Sequence, residues 1–536
     1  MPQITETPGQ SNLTAANSSP LAPNSSNDRN GSQTEVYAVV GAEPEIQAYA
    51  MAKYSRSALS MKESLEEISQ QKAEKFLNTF YFQYGHRSIA DLAHIALAIE
   101  RLSMLAAIVV ADEQRWDGQE RSTRYQDFKT SGYFIPAFSG ETLTTYRESI
   151  EKLFSEYESL SNRMFLYLAG TTPRPEEMKQ DSYERTLRAR AFDISRYLLP
   201  LAANTSLGEI VNARTLEGQV SRLLSHTHSE VRNLGRRLKA AALSPAHNVN
   251  HQRWRDLIEE IRQSSPDVAA RAEQLLLADV RVAPTLVKYA DPNPYETDTR
   301  RELRQLAAEF MGDLPPAASP VVDLLDDEPL EVELAATLIY EHCHHPYRQI
   351  REAVEAAGDA IRREIIDVGL RHRGRHDEMA RTFRAGQQFR FDILMDIGAY
   401  RDLHRHRRCI QVAQDFTTRH GFETPEELKP AGAGENYRAV MQGAAEAVEK
   451  LAQSGGLEAA ESSQYAIPLG FRKRTLFKMD FAEAAYIAEL RTGLGGHTSY
   501  RKVAHQMYVT VAKRYPALAK YFRVTDVAQP VDLLKR

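Results

Sequence analysis

Apolar residues recur three and four positions apart through EYESLSNRMFLYLAG (156–170) and YRAVMQGAAEAVEKLAQS (437–454), so both segments are predicted helices. RFDILMDIG (390–398) follows a different rule. Phe391, Ile393, Met395 and Ile397 alternate along it, which puts them on one face of an extended chain and predicts a half-buried strand. HIALAIE (94–100) is its counterpart in the first half of the chain. Each strand runs into a short helical stretch, SMLAAIVVAD and AYRDLHRH.

That correspondence extends to an internal repeat. FYFQYGHRSIADL (80–92) aligns without gaps on LIYEHCHHPYRQI (338–350), RYLLPLAANTS (196–206) on QYAIPLGFRKR (464–474), and HSEVR (228–232) on HTSYR (497–501). MAKYSRS (51–57) answers LVKYADP (286–292), and all four pairs fall in the same order. Two homologous domains are expected, at 35–275 and 276–536. Residues 1–34, rich in Asn, Ser and Pro, read as a disordered tail.

Composition narrows the function. The 536-residue chain carries a formal net charge of -5, which disfavours a surface built throughout to hold nucleic acid. Two cysteines, Cys343 and Cys409, exclude a disulfide framework and a Cys-rich zinc site, and suit a cytoplasmic location. No apolar run reaches the length of a membrane span. Any polyanion site must be local.

Three stretches carry candidate chemistry. LHRHRRCIQVAQDF (403–416) clusters Arg405, His406 and Arg407 at the end of a strand-to-helix unit, where two arginines beside an imidazole suit a nucleotide or dinucleotide. A solvated basic face is the plain alternative, and a metal is disfavoured because no ligand set accompanies the cluster. In QERSTRYQDF (119–128), Ser122 and Arg124 stand two apart, so in an extended loop a hydroxyl and a guanidinium point the same way. In VNARTLEGQVSRLLSHTHSE (211–230), Asn212, Arg214, Arg222 and His228 recur at spacings that line one side of a helix and its approach. LRHRGRHDEM (370–379) is a further basic stretch, and the histidines of HCHH (342–345) leave a metal reading open.

Together and in this order, these residues resemble the flavin-dependent thymidylate synthases, the ThyX family. The resemblance covers essentially everything after the tail. It rests on Arg405-His406-Arg407, on Ser122-x-Arg124 with Glu120, on Gly85-His86-Arg87-Ser88, on Arg196 before Leu199-Pro200-Leu201, on Asn212-Ala213-Arg214, and on Leu490-Arg491 with His497. Arg222 with His228 repeats the last element more loosely, and His344 aligns with His86.

The resemblance implies an enzyme that methylates dUMP to dTMP with methylenetetrahydrofolate and FAD reduced by NADPH. Arg491 and Arg222 would then be catalytic, and Ser122, Arg124, Arg196 and Arg405 would bind substrate. His86, Ser88, Glu120, Asn212, Arg214, His228, His344, Arg405, His406, Arg407 and His497 would bind cofactor. It implies an α+β fold, each domain having long helices around a small, mainly antiparallel sheet, and a homodimer imitating the family's tetramer. The alternative is a non-catalytic or repurposed flavin- or nucleotide-binding relative.

Neither half is complete. In the first, the Arg-His-Arg position reads Asp112-Glu113-Gln114; in the second, Asp415 stands where Ser is expected, Gln464 where Arg196 stands, and Asp480 where Asn212 stands. A site shared between the halves is therefore expected, with Arg405, His406, Arg407, Arg491 and His497 from one and Ser122, Arg124, Arg196 and Asn212 from the other.

Overall fold

The computed structural model describes residues 41–53 and 87–534 apart from 313, 327, 375–379, 384–388, 520–521 and 530–532, together with positions 39 and 65. The expected tail, His86 and part of the basic stretch at 370–379 lie outside the described residues.

Each half builds one antiparallel sheet. In the first, β1 (His94–Ser103), β2 (Trp116–Glu120) and β3 (Asn204–Asn212) lie in the order β1-β3-β2. Helix α1 (Met104–Val110) follows β1, α2 (Gly140–Thr171) and α3 (Gln180–Ser195) separate β2 from β3, and α4 (Ala213–Leu224) and α5 (Ser229–Leu243) follow β3. In the second half, β4 (Val322–Leu324), β5 (Phe389–Asp396), β6 (Ile410–Ala413) and β7 (Arg472–Met479) lie in the order β4-β5-β7-β6. Around this sheet stand α6 (Pro294–Met311), α7 (Leu330–Tyr340), α8 (Ile397–Leu403), α9 (Gly434–Gln453), α10 (Phe481–Thr492) and α11 (Thr498–Arg514). The α+β architecture agrees with the expectation from sequence.

The same local chemistry starts corresponding helices. Ser103 caps α1 by accepting from the Ala106 N–H at 2.9 Å, and Asp396 caps α8 by accepting from the Ala399 N–H at 2.7 Å. Ile397 therefore opens a helix instead of continuing the strand. β5 departs from its half-buried reading in a second way, because both faces are covered. Phe389, Phe391 and Ile393 enter the main core, while Arg390 and Asp392, 3% and 1% exposed, lie under α7. Those charges survive burial because Arg390 meets Glu328, and Asp392 accepts from Arg474 at 2.9 Å and from the Tyr340 hydroxyl at 2.7 Å.

The halves are stitched where the repeat is strongest. Pro200 and Pro468, the same position in the two repeated stretches, form an antiparallel bridge. Around them Leu201 N–H donates to Ile467 O (2.9 Å), Leu469 N–H to Leu199 O (2.9 Å), Ala202 N–H to Tyr465 O (2.8 Å) and Gly470 N–H to Tyr197 O (2.9 Å). Pairing of a segment with its own repeat makes the contact approximately two-fold symmetric. One hydrophobic core runs through the junction, from Leu199 and Leu201 to Ile467 and Leu469. Helices α2 and α9 pack antiparallel beside it, with Lys450 on Glu141 at 3.1 Å and Asn436 on Glu156 at 2.9 Å. The segment before α6 also packs on the first half: Ala283 N–H reaches Ala242 O, and the Thr285 and Leu286 N–H groups reach Glu45.

Candidate functional site

Approximate two-fold pairing creates two equivalent seams between the halves, each combining the end of one half's short helix with the other half's loops. At the first seam Arg124, on the turn after β2, donates Nε to Asp193 Oδ1 at 2.7 Å and Nη1 to the Tyr500 hydroxyl at 3.1 Å. Asp193, near the end of α3, also accepts from His497 Nε2 through its backbone carbonyl at 3.0 Å. Arg196, just past α3, pairs with Asp402 of α8 at 3.2 Å. Arg401 beside it meets Glu120 of the first half.

The Arg-His-Arg run lies at the mouth of this cluster. His406 is held from both ring nitrogens: Nε2 accepts from Arg491 Nε at 2.7 Å, which leaves the proton on Nδ1, 3.2 Å from Glu483. Arg491 stacks over Tyr500 with its guanidinium carbon 5.7 Å from the ring centre. Arg407 crosses to the first half, pairing with Asp117 at 3.1 Å over the Trp116 ring. Arg405 is exposed and makes no ion pair or hydrogen bond among the described residues.

Electrostatics hold the enclosed part of the cluster in one protonation state. Burial works against ionised Asp402, but Arg196, Arg124, Arg405 and Arg491 outweigh it and hold its carboxyl below the usual range. Burial also opposes the charge on Arg124, and Asp193 more than offsets it. Burial, reinforced by Arg196, pushes His497 down to about 3, so its imidazole is neutral and accepts from the Ser499 N–H at 3.2 Å as the cap of α11.

The second seam repeats the layout with different residues. Asp112-Glu113-Gln114 follow α1 as Arg405-His406-Arg407 follow α8. Arg222 of α4 donates to Glu113 at 2.7 Å where Arg491 donates to His406. His228 begins α5 as His497 begins α11. Asp112 pairs with Arg381, and Asp415 lies 3.5 Å from Arg304. Between these groups opens a cavity of about 1050 Å³, lined among others by Arg214, Arg222, His228, Gln464 and Lys473.

The shared-site expectation thus meets the structure residue by residue. Arg124, His406, Arg491 and His497 share one contact network, while Arg196 pairs with Asp402, Glu120 with Arg401 and Arg407 with Asp117 across the halves. Asn212 does not: its side chain caps α4, accepting from the Thr215 N–H at 2.8 Å. Arg214 pairs with Asp91 at 3.3 Å and lines the second seam's cavity. The loop at Ser122 is a turn instead of an extended segment, and the Ser122 hydroxyl accepts from the Arg124 backbone N–H at 3.2 Å. Ser88 lies in the short 3-10 helix Arg87–Leu92. The His344 ring stands 6.0 Å from that of His420, and among the described residues no group of three or more His, Cys, Asp or Glu is arranged to hold a metal.

Sequence reading missed the carboxylates Asp193 and Asp402. Their available signal was position, since each precedes an arginine of the cluster by three residues. Tyr500 and Glu483 had no such signal.

The family model described as "Thymidylate synthase complementing protein" matches residues 37–243 and 321–517. A UPF0159 protein of Chlamydia muridarum is 27% identical over 523 residues, covering 91% of each chain. A flavin-dependent thymidylate synthase of Clostridium tetani is 25% identical over 210 residues, covering 38% of this chain and 80% of that protein. Among solved structures, Thymidylate Synthase X from Helicobacter pylori with FAD and dUMP aligns to 39% of this chain and 91% of its own, at 15% identity and a TM-score of 0.26.

Proposed function

The chain belongs to the Thy1 family of thymidylate synthase complementing proteins, and from that premise we propose that it is an FAD-dependent thymidylate synthase, methylating dUMP with methylenetetrahydrofolate and NADPH at the first seam. The observation that carries this reading is the meeting there of Arg124 with the Tyr500, Arg491, His406 and His497 group of the other half, and of Arg196 with Asp402. Arg124 and Arg196 are the substrate-phosphate cations, preorganised by Asp193 and Asp402. Exposed Arg405 and half-buried Arg407 would hold the anionic groups of FAD, and Arg491, fixed by His406 and Tyr500, would hold the uracil ring of the substrate. When bound, FAD supplies the hydride after reduction by NADPH. The residues fit such ligands at the mouth, where exposed Arg405 makes no ion pair among the described residues. We place the protein in the cytoplasm as a homodimer, with two tandem domains per chain at residues 35–275 and 276–536.

A repurposed, non-catalytic relative is the second reading. It is favoured by the second seam, where Asp112-Glu113-Gln114 and Asp415 replace cation and hydroxyl. Purification decides between the first reading and a site that binds neither ligand: the native chain is expected to carry FAD, and dUMP to raise its melting temperature. A colourless protein indifferent to dUMP would count against the thymidylate reading.

A further inference from the structure

Lys473, on β7, lines the cavity at the second seam with only 4% of its surface exposed. Its amino group donates to the Gln414 carbonyl and lies 3.8 Å from the centre of the Phe416 ring and 5.4 Å from that of Tyr400. Among the described residues no carboxylate comes within ion-pair distance of it. Lys478 on the same strand shows the structural alternative: equally enclosed, it bonds Glu333 at 3.1 Å and Thr337 at 2.9 Å and does not reach the cavity. The repeat sharpens the contrast, because Thr205 occupies the position of Lys473 at the first seam.

The charged groups facing Lys473 come from three elements: Asp112 after α1, Glu341 after α7 and Asp415 after β6. All three favour its ammonium form, yet burial outweighs them and brings the group down to about 8. A desolvated amine in a cavity of this size is a nucleophile in waiting. The same cavity is also lined by Arg300, which donates to the Ser225 carbonyl at 2.9 Å and forms no ion pair among the described residues. Gln414, 1% exposed, lines the same space with its side-chain oxygen unpartnered.

We propose that this cavity is a site for a small carbonyl compound, an aldehyde or keto acid, which Lys473 holds as an imine while Arg300 takes its carboxylate. The neutral Nζ lone pair attacks the carbonyl carbon, and a proton passes from nitrogen to oxygen to give the carbinolamine. Loss of that oxygen as water leaves the C=N bond. No oxidant or reductant is consumed, and the proton passes from nitrogen to oxygen within the adduct. This site is independent of the thymidylate reading and uses residues the first seam lacks.

The test is glyoxylate with cyanoborohydride at pH 7.5 on the native full-length chain, followed by peptide mass mapping. Because a group titrating near 8 has a much larger neutral fraction than an ordinary lysine, Lys473 should be alkylated at least about tenfold faster than exposed Lys450, with Lys478 untouched. Arg300→Gln should slow the reaction of glyoxylate and leave that of uncharged propionaldehyde unchanged. Alkylation of Lys473 no faster than that of Lys450 would overturn the imine site, and equal slowing of both aldehydes by Arg300→Gln would overturn the carboxylate contact.

Discussion

Arg196 is 2% exposed, and its charge is answered by Asp402, 206 positions further along the chain. Removing one member of such a pair leaves the other buried and uncompensated, which costs about 3 kcal/mol. Asp402→Asn should therefore lower the urea midpoint by roughly that stability, and an unchanged midpoint would mean that the pair is not formed. The cations of this cluster were legible, because arginines beside Leu-Pro-Leu and around a histidine stand out as residue types. Their counter-ions were not, since nothing local says which of the chain's acids lies opposite. The same limit hid Lys473, whose position in a strand gave no sign that its amine would line a cavity with no carboxylate at ion-pair distance among the described residues.

At the scale of elements, the repeat made most of the fold readable. RYLLPLAANTS and QYAIPLGFRKR each give a short 3-10 turn followed by the central strand of a sheet, and His228 and His497 each begin a helix. What the pattern could not show was that these two stretches bind each other. Gly470 is part of the reason they can: a Cβ there would lie 2.8 Å from the Tyr437 hydroxyl and 3.1 Å from Tyr197. The alternation in β5 misled for a related reason, because Arg390 and Asp392 look solvent-facing until their partners on α7, β7 and the loop before α7 are known.

Three buried histidines, two of them at helix starts, set a pH dependence. Burial, the leading cause in each case, holds His228 down to about 4 and His420 and His497 to about 3. These imidazoles are neutral when folded and bind protons near 6.5 when unfolded, so the unfolded state takes up more protons on acidification. Stability should be intact above pH 6.5 and fall progressively between 6.5 and about 3, by up to about 1.4 kcal/mol per pH unit per histidine. Urea midpoints at pH 7 and 5 check this, and equal midpoints would refute it.

For the whole molecule, one core runs through both halves, and residues 281–291 of the later sequence pack on the first. The two halves should therefore melt together, giving a single calorimetric transition; two resolved transitions would show independent domains. The approximate two-fold also explains how each half can lack part of the motif. The first seam keeps the cations of both halves, while the second seam holds an acidic replacement and a cavity. Among the described residues no helix is long and apolar enough to cross a membrane.

The most direct measurement of the shared site is tritium release from 5-tritiated dUMP with methylenetetrahydrofolate, FAD and NADPH. The native chain should release tritium, and Arg124→Met in the first half and Arg407→Ala in the second should each reduce release at least about a hundredfold. Gln114→Ala, at the position equivalent to Arg407 on the second seam, should leave it near the native rate. No release above background from the native chain, or release that survives both first-seam substitutions, would contradict the account.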